Sequence, residues 1–441
     1  MREGVQQREL IMDLDDAFIE LIDRADTALE KEREINARKY GLDLIKSEKH
    51  KALQKMPVEE LKERLRNAKE KWIDRFNELV KMAKEGLEAV GCTVFYAKTS
   101  QEARNYVGKI VGENKLVVKS KTNAGSEIGL VEFLESLGNE VIETDLGDRI
   151  VQMRKEKGTH PVAPAIHVSK EDAAKLFGLP PNATVDEIIA QARGEIRDYV
   201  FRADIGISGA NALAAREGAI FLIENEGNIR YVTNAPPIHI SICPLNKIVP
   251  DVEAALTQIR LQASYGVGQV TPVYLSMISG PSKTGDIGFI VRKGMHGPKE
   301  VHVILVENNR IEASKGPLKE SLYCLGCGSC LNECPAFEML GRAFGGPTYL
   351  GPIGIVHTAV LSGLETTVES GLNFCTMCKR CGDSDVCPVD IPIPDLLKYL
   401  RDLATEKGFL LPPFAEIEKR IKEVGNPFGI QEQAFSPEGG E

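Results

Sequence analysis

The sequence predicts an α/β domain between two helical regions, the second of which is rich in cysteine. Between residues 91 and 313, short β-branched runs alternate with helical windows, which is the order typical of α/β domains. Residues 1–90 are charged and helical in pattern, and after Gly316-Pro317 the β-branched runs end. We therefore expect a helical extension at residues 1–90, an α/β domain at 91–313, a helical domain at 314–426 and a loose tail at 427–441.

The helical extension carries one long apolar stripe. Its members recur at steps of three and four residues: Leu61, Leu65, Ala68, Trp72, Phe76, Leu79, Ala83 and Leu87. Pro57 lies near the start of this stripe and Gly91 follows it, as is usual at helix boundaries. The pattern predicts one long helix, with Trp72 packed in the core rather than stacked on a ligand.

The central domain contains eight strand candidates, at residues 93–97, 115–119, 141–144, 205–208, 220–224, 238–243, 274–278 and 301–306. Helical windows lie between several of them, at residues 101–111, 127–137, 185–199 and 252–261. This alternation predicts a largely parallel or mixed sheet. The connections between strands shorten after Asp204, and short connections allow part of the sheet to be antiparallel there.

Composition and charge argue against two classes of partner. The chain has 54 Lys and Arg against 64 Asp and Glu, and its net charge of −10 has the wrong sign for neutralising phosphates. No apolar run approaches the roughly 18 to 20 residues that span a bilayer, and no apolar signal segment opens the chain. We expect a cytoplasmic protein without a transmembrane segment that does not bind nucleic acid.

Eight of the ten cysteines form a doubled motif, C-x2-C-x2-C-x3-C-P followed by C-x2-C-x2-C-x5-C-P. Three thiolates at two-residue spacing hold three corners of a [4Fe–4S] cubane, and the cysteine before proline ligates the neighbouring cluster. The predicted ligands of cluster one are Cys324, Cys327, Cys330 and Cys387. Those of cluster two are Cys375, Cys378, Cys381 and Cys334.

Structural zinc is the alternative, since C-x2-C pairs also make zinc knuckles. Two triplets that each end in Cys-Pro exceed what four-coordinate zinc uses, which favours iron–sulfur. The longer spacer makes Cys387 the ligand that spacing fixes least. Cys92 and Cys243 lie in apolar, strand-like segments, where we expect buried, unreactive thiols.

Forty residues separate Cys334 from Cys375. This arrangement resembles the α-helical ferredoxin module of succinate dehydrogenase iron–sulfur subunits and heterodisulfide reductase small subunits. The central domain is similar to the LUD (lactate utilisation) domain at residues 117–122, 143–147, 164–167, 206–211, 223–228, 278–281 and 297–302. Together the two regions resemble the LutB family, the iron–sulfur subunits of LutABC lactate utilisation systems.

The resemblance carries implications for fold and activity. It implies an α/β fold related to CoA transferases and ribose-5-phosphate isomerase, joined to an α-helical ferredoxin domain. It also implies a role in NAD-independent oxidation of L-lactate to pyruvate, with single electrons relayed through two [4Fe–4S] clusters. The x5 spacer of the second motif departs from the family's pattern.

Polar residues of the central domain form a candidate anion pocket: Lys119, Lys121, Asn211, Glu217, Glu226 and Arg230. The two lysines end a strand and open a helix, where positive charge and free N–H groups would receive a carboxylate. The alternative is that these are turn residues and surface ion pairs, and the sequence leaves both readings open. His167 and His239 lie in apolar contexts that favour core histidines over proton shuttles.

No G-x-G-x-x-G segment follows any predicted strand, so a Rossmann site for NAD or FAD is unsupported. Without a cofactor that accepts hydride, we expect the chain to be an oxidoreductase subunit that needs partners. The resemblance implies a CCG-domain protein and a second LUD protein. The alternatives are a heterodisulfide-reductase-like or flavoprotein-linked complex, and a ligand-binding regulatory protein whose clusters are structural.

Overall fold

The structure, a computed structural model, describes residues 14–428, so residues 429–441 of the predicted tail lie outside the described part. The described part begins with four helices: α1 (Leu14–Leu29), α2 (Glu32–Leu53), α3 (Val58–Ile73) and α4 (Phe76–Ala89). The apolar stripe is divided between α3 and α4, so the prediction of one long helix is wrong. No glycine or proline marks the break at Asp74 and Arg75, where the two halves turn toward different neighbours.

The central region contains all eight predicted strands and four shorter ones. The strands are β1 (Thr93–Ala97), β2 (Leu116–Lys119), β3 (Glu140–Glu143), β4 (Ile205–Ser208), β5 (Ala212–Ala214), β6 (Ala219–Glu224), β7 (Ile238–Pro244), β8 (Ile248–Val249), β9 (Tyr274–Ile278), β10 (Lys283–Thr284), β11 (Arg292–Lys293) and β12 (Glu300–Val306). The helices among them are α5 (Ser100–Val111), α6 (Asn123–Glu127), α7 (Leu130–Ser136), α8 (Leu146–Met153), α9 (Lys170–Leu176), α10 (Val185–Arg202), α11 (Asn228–Asn234) and α12 (Val252–Val267).

A six-stranded sheet in the order β1-β12-β7-β4-β2-β3 forms the centre of this region, and every neighbouring pair is parallel. The middle strands are buried on both faces, which explains their continuous β-branched composition. Because all six strands run the same way, their carboxyl ends meet at one edge. Side chains that follow different strands, such as Lys121 and Asp145, therefore come together there.

A second sheet of four strands, β8-β5-β6-β9, contains the antiparallel pairs β5–β6 and β6–β9. The antiparallel portion expected after Asp204 is therefore present, as a separate sheet. A two-stranded hairpin of β10 and β11 follows. The α/β fold class with flanking helical regions is confirmed.

The C-terminal region contains the helices α13 (Arg310–Ala313), α14 (Ser329–Asn332), α15 (Pro335–Leu340), α16 (Gly351–Glu369), α17 (Ile393–Glu406) and α18 (Pro412–Val424). Short 3-10 turns at Lys319–Tyr323, Leu372–Phe374 and Arg380–Gly382 adjoin the cysteine loops. Within residues 14–428, no helix has the length and apolar character needed to cross a membrane.

Basic side chains of α2 and α3 hold the cysteine-rich region. The contacts are Arg38 to the carbonyl oxygen of Glu338 at 2.8 Å, Lys49 to Glu333 at 3.1 Å, Lys62 to Asp390 at 3.0 Å and Arg66 to Glu320 at 2.6 Å. Arg38, Lys49 and Lys62 are themselves buried. The N-terminal helices therefore pack against the cysteine-rich region. These contacts supply the partners that buried ionic groups need.

Candidate iron–sulfur sites and the cavity beside them

The first cysteine motif begins in a loop and ends in α14. Cys324 and Cys327 lie in the loop, and Cys330 lies in the helix. Gly326 and Gly328 have φ angles of +74° and +83°, which residues with a side chain rarely adopt. They turn the loop so that the N–H of Gly326 donates to the Sγ of Cys324 at 3.3 Å. N–H groups directed at sulfur stabilise a thiolate.

Cys387 joins this first group from the loop that precedes α17. Its Sγ accepts a hydrogen bond from the N–H of Ile391 at 3.3 Å. The four cysteines of the group line one cavity: Cys324, Cys327, Cys330 and Cys387. The five-residue spacer in the second motif thus does not keep Cys387 away from the first motif.

Cys334 belongs spatially to the second motif. It is the residue before α15, and the N–H groups of Ala336 and Phe337 are directed at its Sγ. Four cysteines line a second, smaller cavity: Cys334, Cys375, Cys378 and Cys381. Cys378 is exposed, so this group reaches the surface of the protein. The two groups coincide with the ligand sets expected from the sequence, which stay predictions until the ligands are tested.

The residues of both groups fit iron–sulfur clusters. Every donor is a thiol, and burial raises the pKa of Cys327 and Cys381 to about 12. Such thiols stay protonated unless a cation stabilises the thiolate, as bound iron does. Within residues 14–428, no three His, Cys, Asp or Glu side chains are arranged around one metal ion. The four thiols of each group instead surround a cavity.

Two lysines lie beside the first group. Lys247 donates to the carbonyl oxygen of Leu325, and the buried Lys69 donates to that of Asn246 at 3.4 Å. Burial, followed by repulsion from Lys247, lowers the pKa of Lys69 to about 7. Cationic groups at this position favour the negative charge that a thiolate-ligated cluster carries.

The cavity of the first group extends to the carboxyl edge of the six-stranded sheet. Its volume is about 710 Å³, and residues that end or follow β2, β3, β4 and β7 line one side of it. The first cysteine loop lines the other side. The carboxyl edge of a parallel sheet is the usual ligand site of α/β proteins. Here the cysteine-rich region covers that edge.

Four of the six predicted pocket residues line this cavity: Lys119, Lys121, Asn211 and Glu226. Glu217 and Arg230 do not line it. Glu217 accepts a hydrogen bond from the N–H of Val252 at 3.1 Å, and Arg230 lies 3.6 Å from Glu224 and over the ring of Tyr274. The structure therefore separates these two from the other four.

The polar end of the cavity is acidic. Lys119 is buried and pairs with Glu143 at 2.7 Å, so its charge is already compensated. Asp145, Asp148 and Glu226 line the cavity with them. Burial raises the pKa of Glu226 to about 7, and repulsion from Asp145 adds to that rise. Burial also raises the pKa of Glu143, which Lys119 partly opposes.

Several polar atoms at this end are buried and have no hydrogen-bond partner. They are Lys121 Nζ, Glu143 Oε2, Asp148 Oδ2 and Gln262 Oε1. All four side chains line the cavity. Buried polar atoms are usually paired, and an unpaired one costs about 1 to 3 kcal/mol. An unpaired ammonium beside unpaired carboxylate oxygens indicates a site that a polar ligand completes.

His160, which the sequence did not single out, links the polar end to the cysteine loop. It is buried, its ring lies 3.1 Å from Asn332, and a Cβ at Gly328 would approach the ring to 3.8 Å. Lys121 is close enough to help burial lower the pKa of His160. His160 comes from an irregular segment, and its only sequence signal was the neighbouring Pro161.

The remaining sequence candidates have structural surroundings. His239 is buried and lies 2.8 Å from the Oγ of Ser208, whereas His167 lies between Thr159 and Glu156. Cys92 and Cys243 are buried, and burial raises their pKa to about 11 and about 12. Both remain thiols at neutral pH, as expected of unreactive core cysteines.

The chain matches two protein families. Residues 80–306 match the LUD domain, and residues 320–391 match the 4Fe-4S dicluster domain. Two relatives are both named lactate utilization protein B. The protein from Macrococcus caseolyticus is 35% identical over 338 residues, which is 75% of this chain and 69% of that protein. The protein from Shouchella clausii is 36% identical over 332 residues, which is 73% of this chain and 67% of that protein.

A solved structure of a DUF162 family protein from Deinococcus radiodurans covers 52% of this chain and 98% of its own, with 15% identity and a TM-score of 0.29. The resemblance to LUD and ferredoxin domains is confirmed by the family matches, which span both regions. The chain therefore belongs to the family of lactate utilization protein B, and it joins a LUD domain to a dicluster domain that holds two [4Fe–4S] clusters.

Proposed function

We propose that the protein is the electron-transfer subunit of an NAD-independent L-lactate-oxidising complex, and that it relays single electrons through its two [4Fe–4S] clusters. The name of its relatives supports the link to lactate, and the dicluster domain supports the relay. Cluster one would be held by Cys324, Cys327, Cys330 and Cys387, and cluster two by Cys375, Cys378, Cys381 and Cys334.

The positions of the two cysteine groups are the observation that carries this proposal. The first group borders the inner cavity, whereas the second reaches the surface at Cys378. A relay needs one cluster near the source of electrons and one that a partner can approach. Cluster one is suited to the first role and cluster two to the second.

Lactate oxidation releases two electrons, and each cluster accepts one at a time. The hydride of lactate must therefore go to a two-electron acceptor carried by a partner subunit, which passes the electrons singly to the clusters, while the hydroxyl proton goes to solvent. We propose a CCG-domain protein and a second LUD protein for this role. The alternatives are a flavoprotein partner and a complex of the heterodisulfide reductase type. Either would use the same two clusters, and the experiment below distinguishes them from the lactate-oxidising complex.

The test is reduction of the clusters by lactate in the presence and absence of partners. The anaerobically reconstituted chain should hold about eight irons and eight sulfides, with broad thiolate-to-iron absorption near roughly 400 nm. With the partner subunits, L-lactate should produce the EPR signals of reduced clusters, and without them it should not. A Cys378→Ala variant should lose the EPR signal of cluster two and keep that of cluster one, and Cys92→Ala, which removes a thiol outside both groups, should keep both signals.

Three results would argue against the relay. Tight stoichiometric zinc without the absorption band would replace the clusters with structural metal. If the clusters stay oxidised while the assembled complex converts lactate, their role is structural. Reduction by a flavoprotein but not by lactate with the LUD and CCG partners would assign the chain to the flavoprotein-linked type of complex.

A further inference from the structure

We propose that the cavity between the sheet edge and cluster one binds a small 2-hydroxy acid, with its carboxylate on Lys121 and its hydroxyl group on Asp148. This inference deepens the proposed function, because it places the substrate class inside this chain rather than only in a partner. It rests on that function for the choice of lactate, and on the geometry of the cavity for the two contacts.

Lys121 is a cation of the cavity that is available to a ligand. Of the two predicted lysines, Lys119 is paired with Glu143 at 2.7 Å, whereas the Nζ of Lys121 is buried without a hydrogen-bond partner. Lys121 also interacts electrostatically with Asp148 and Glu226. A ligand carboxylate would accept a hydrogen bond from the buried ammonium of Lys121. Hydrogen bonds between two charged groups are among the stronger ones in proteins.

Asp148 supplies the matching acceptor. It lies in the first turn of α8, where its own N–H donates to Asp145 at 3.0 Å, and its Oδ2 is buried without a partner. Burial raises the pKa of Asp148, and a hydroxyl group can both accept and donate a hydrogen bond. The hydroxyl group of a 2-hydroxy acid can therefore satisfy the unpaired Oδ2 of Asp148 in either protonation state. A plain carboxylic acid would fill Lys121 and leave Asp148 unpaired.

The backbone around the site is shaped for a small ligand. Gly209 follows β4 at the cavity wall, and a Cβ there would lie 2.7 Å from the Oγ1 of Thr122. The close approach of these two segments leaves no room for a side chain. The same cavity continues past His160 to Cys327, so a bound acid would share one chamber with cluster one.

This continuity predicts which cluster responds to the ligand. A bound anion changes the electric field at cluster one, which lines the chamber, more than at cluster two, whose cysteines line another cavity. Binding of lactate should therefore shift the EPR g-values of the reduced signal assigned to cluster one. The signal of cluster two should stay unchanged.

The decisive experiment is calorimetric titration of the reconstituted chain, without partners, with L-lactate and with propionate. Propionate has the same carboxylate and length but lacks the hydroxyl group. Lactate should bind about tenfold tighter or more, because propionate leaves Asp148 unsatisfied. Lys121→Met should weaken lactate binding by about tenfold or more. Lys109→Met, which removes an exposed lysine of the same domain, should leave it unchanged.

Asp148→Asn gives a second, isosteric test in case Lys121→Met does not fold. This variant should reduce the preference for lactate over propionate, because an amide no longer offers a charged acceptor. Iron content and circular dichroism of each variant should match those of the wild type.

Failure of this inference is distinct from failure of the proposed function. If the wild type binds neither acid, or binds both equally, the cavity is not a 2-hydroxy-acid site, although the relay can still operate with its partners. If lactate binds as described but the clusters stay oxidised during turnover, the site stands and the relay does not. Equal binding by the wild type and Lys121→Met would remove Lys121 from the site.

Discussion

Cys330 and Cys334 are four positions apart in one motif, yet they line different cavities. Replacement of Cys334 by Ala should therefore remove the cluster of the second motif, and replacement of Cys330 by Ala should remove that of the first. Each change deletes one of four thiolates around a cubane. The iron content should fall from about eight to about four per chain in each single variant.

Double variants make the prediction quantitative. Cys334→Ala with Cys381→Ala removes two ligands of the same predicted cluster, so the loss should not exceed that of either change alone. Cys330→Ala with Cys334→Ala should remove both clusters and leave about zero iron. Residues that act on one site give non-additive losses, whereas residues at separate sites give additive ones.

The assay combines iron analysis with EPR of the dithionite-reduced protein after anaerobic reconstitution. The spectrum of the Cys334→Ala variant should match that of Cys381→Ala and differ from that of Cys330→Ala. This comparison needs no prior assignment of the signals. A Cys334→Ala spectrum that matches Cys330→Ala instead would refute the crossed ligand sets, and each motif would then hold its own cluster.

Three further predictions concern stability. Arg310→Met leaves the buried carboxylate of Glu127 without the ion pair at 2.6 Å, so the free energy of unfolding should fall by about 3 to 5 kcal/mol in urea titrations followed by circular dichroism. Arg202→Met breaks an exposed pair and should cost less than about 1 kcal/mol; equal losses would contradict the argument. The pKa of Glu226 is raised to about 7, so the folded state favours its protonated form. Its contribution to the free energy of unfolding is therefore complete below about pH 4.5 and is lost as the pH rises through about 7. Because the side chain of Glu226 is exposed, solvent screens this effect, and relative to the wild type Glu226→Gln should gain only about 1 kcal/mol between pH 5 and pH 8; a constant difference would refute this. Gly206→Ala would place a Cβ 1.9 Å from the carbonyl oxygen of Val232, so its thermal midpoint should drop sharply, whereas Gly194→Ala, at an open helical position, should not lower it.

The strands of the large sheet could be predicted because their burial on both faces requires continuous β-branched runs. The short strands β5 and β8 could not, since three and two residues carry no pattern and tertiary pairing alone sets them. Helix α16 was also missed. Its first half, Gly351 to Val360, is buried nearly all round and has no amphipathic period, and Gly363 interrupts the helix with a φ of +87°.

The candidate site divides in the same way. The spacing of the cysteines contains enough information to predict two groups of four, because few arrangements place three thiolates around a cubane. Lys121 could be found from its place after a strand. Asp148 and Gln262 could not, since they lie on helices α8 and α12, more than a hundred residues apart in the chain, and only folding brings them to one cavity.

The contacts between the N-terminal helices and the cysteine-rich region have a consequence for how the protein is made. Arg66 and Glu320 are 254 positions apart. At the usual rates of synthesis, α3 must wait about 13 to 50 s for this partner to leave the ribosome. During that time its apolar face has no complete surface to pack on, which makes the nascent chain a substrate for chaperones. Cluster assembly is later still, because the predicted ligand set of cluster one includes Cys387. Newly made chains should therefore acquire the iron of cluster one only after Cys387 has been synthesised.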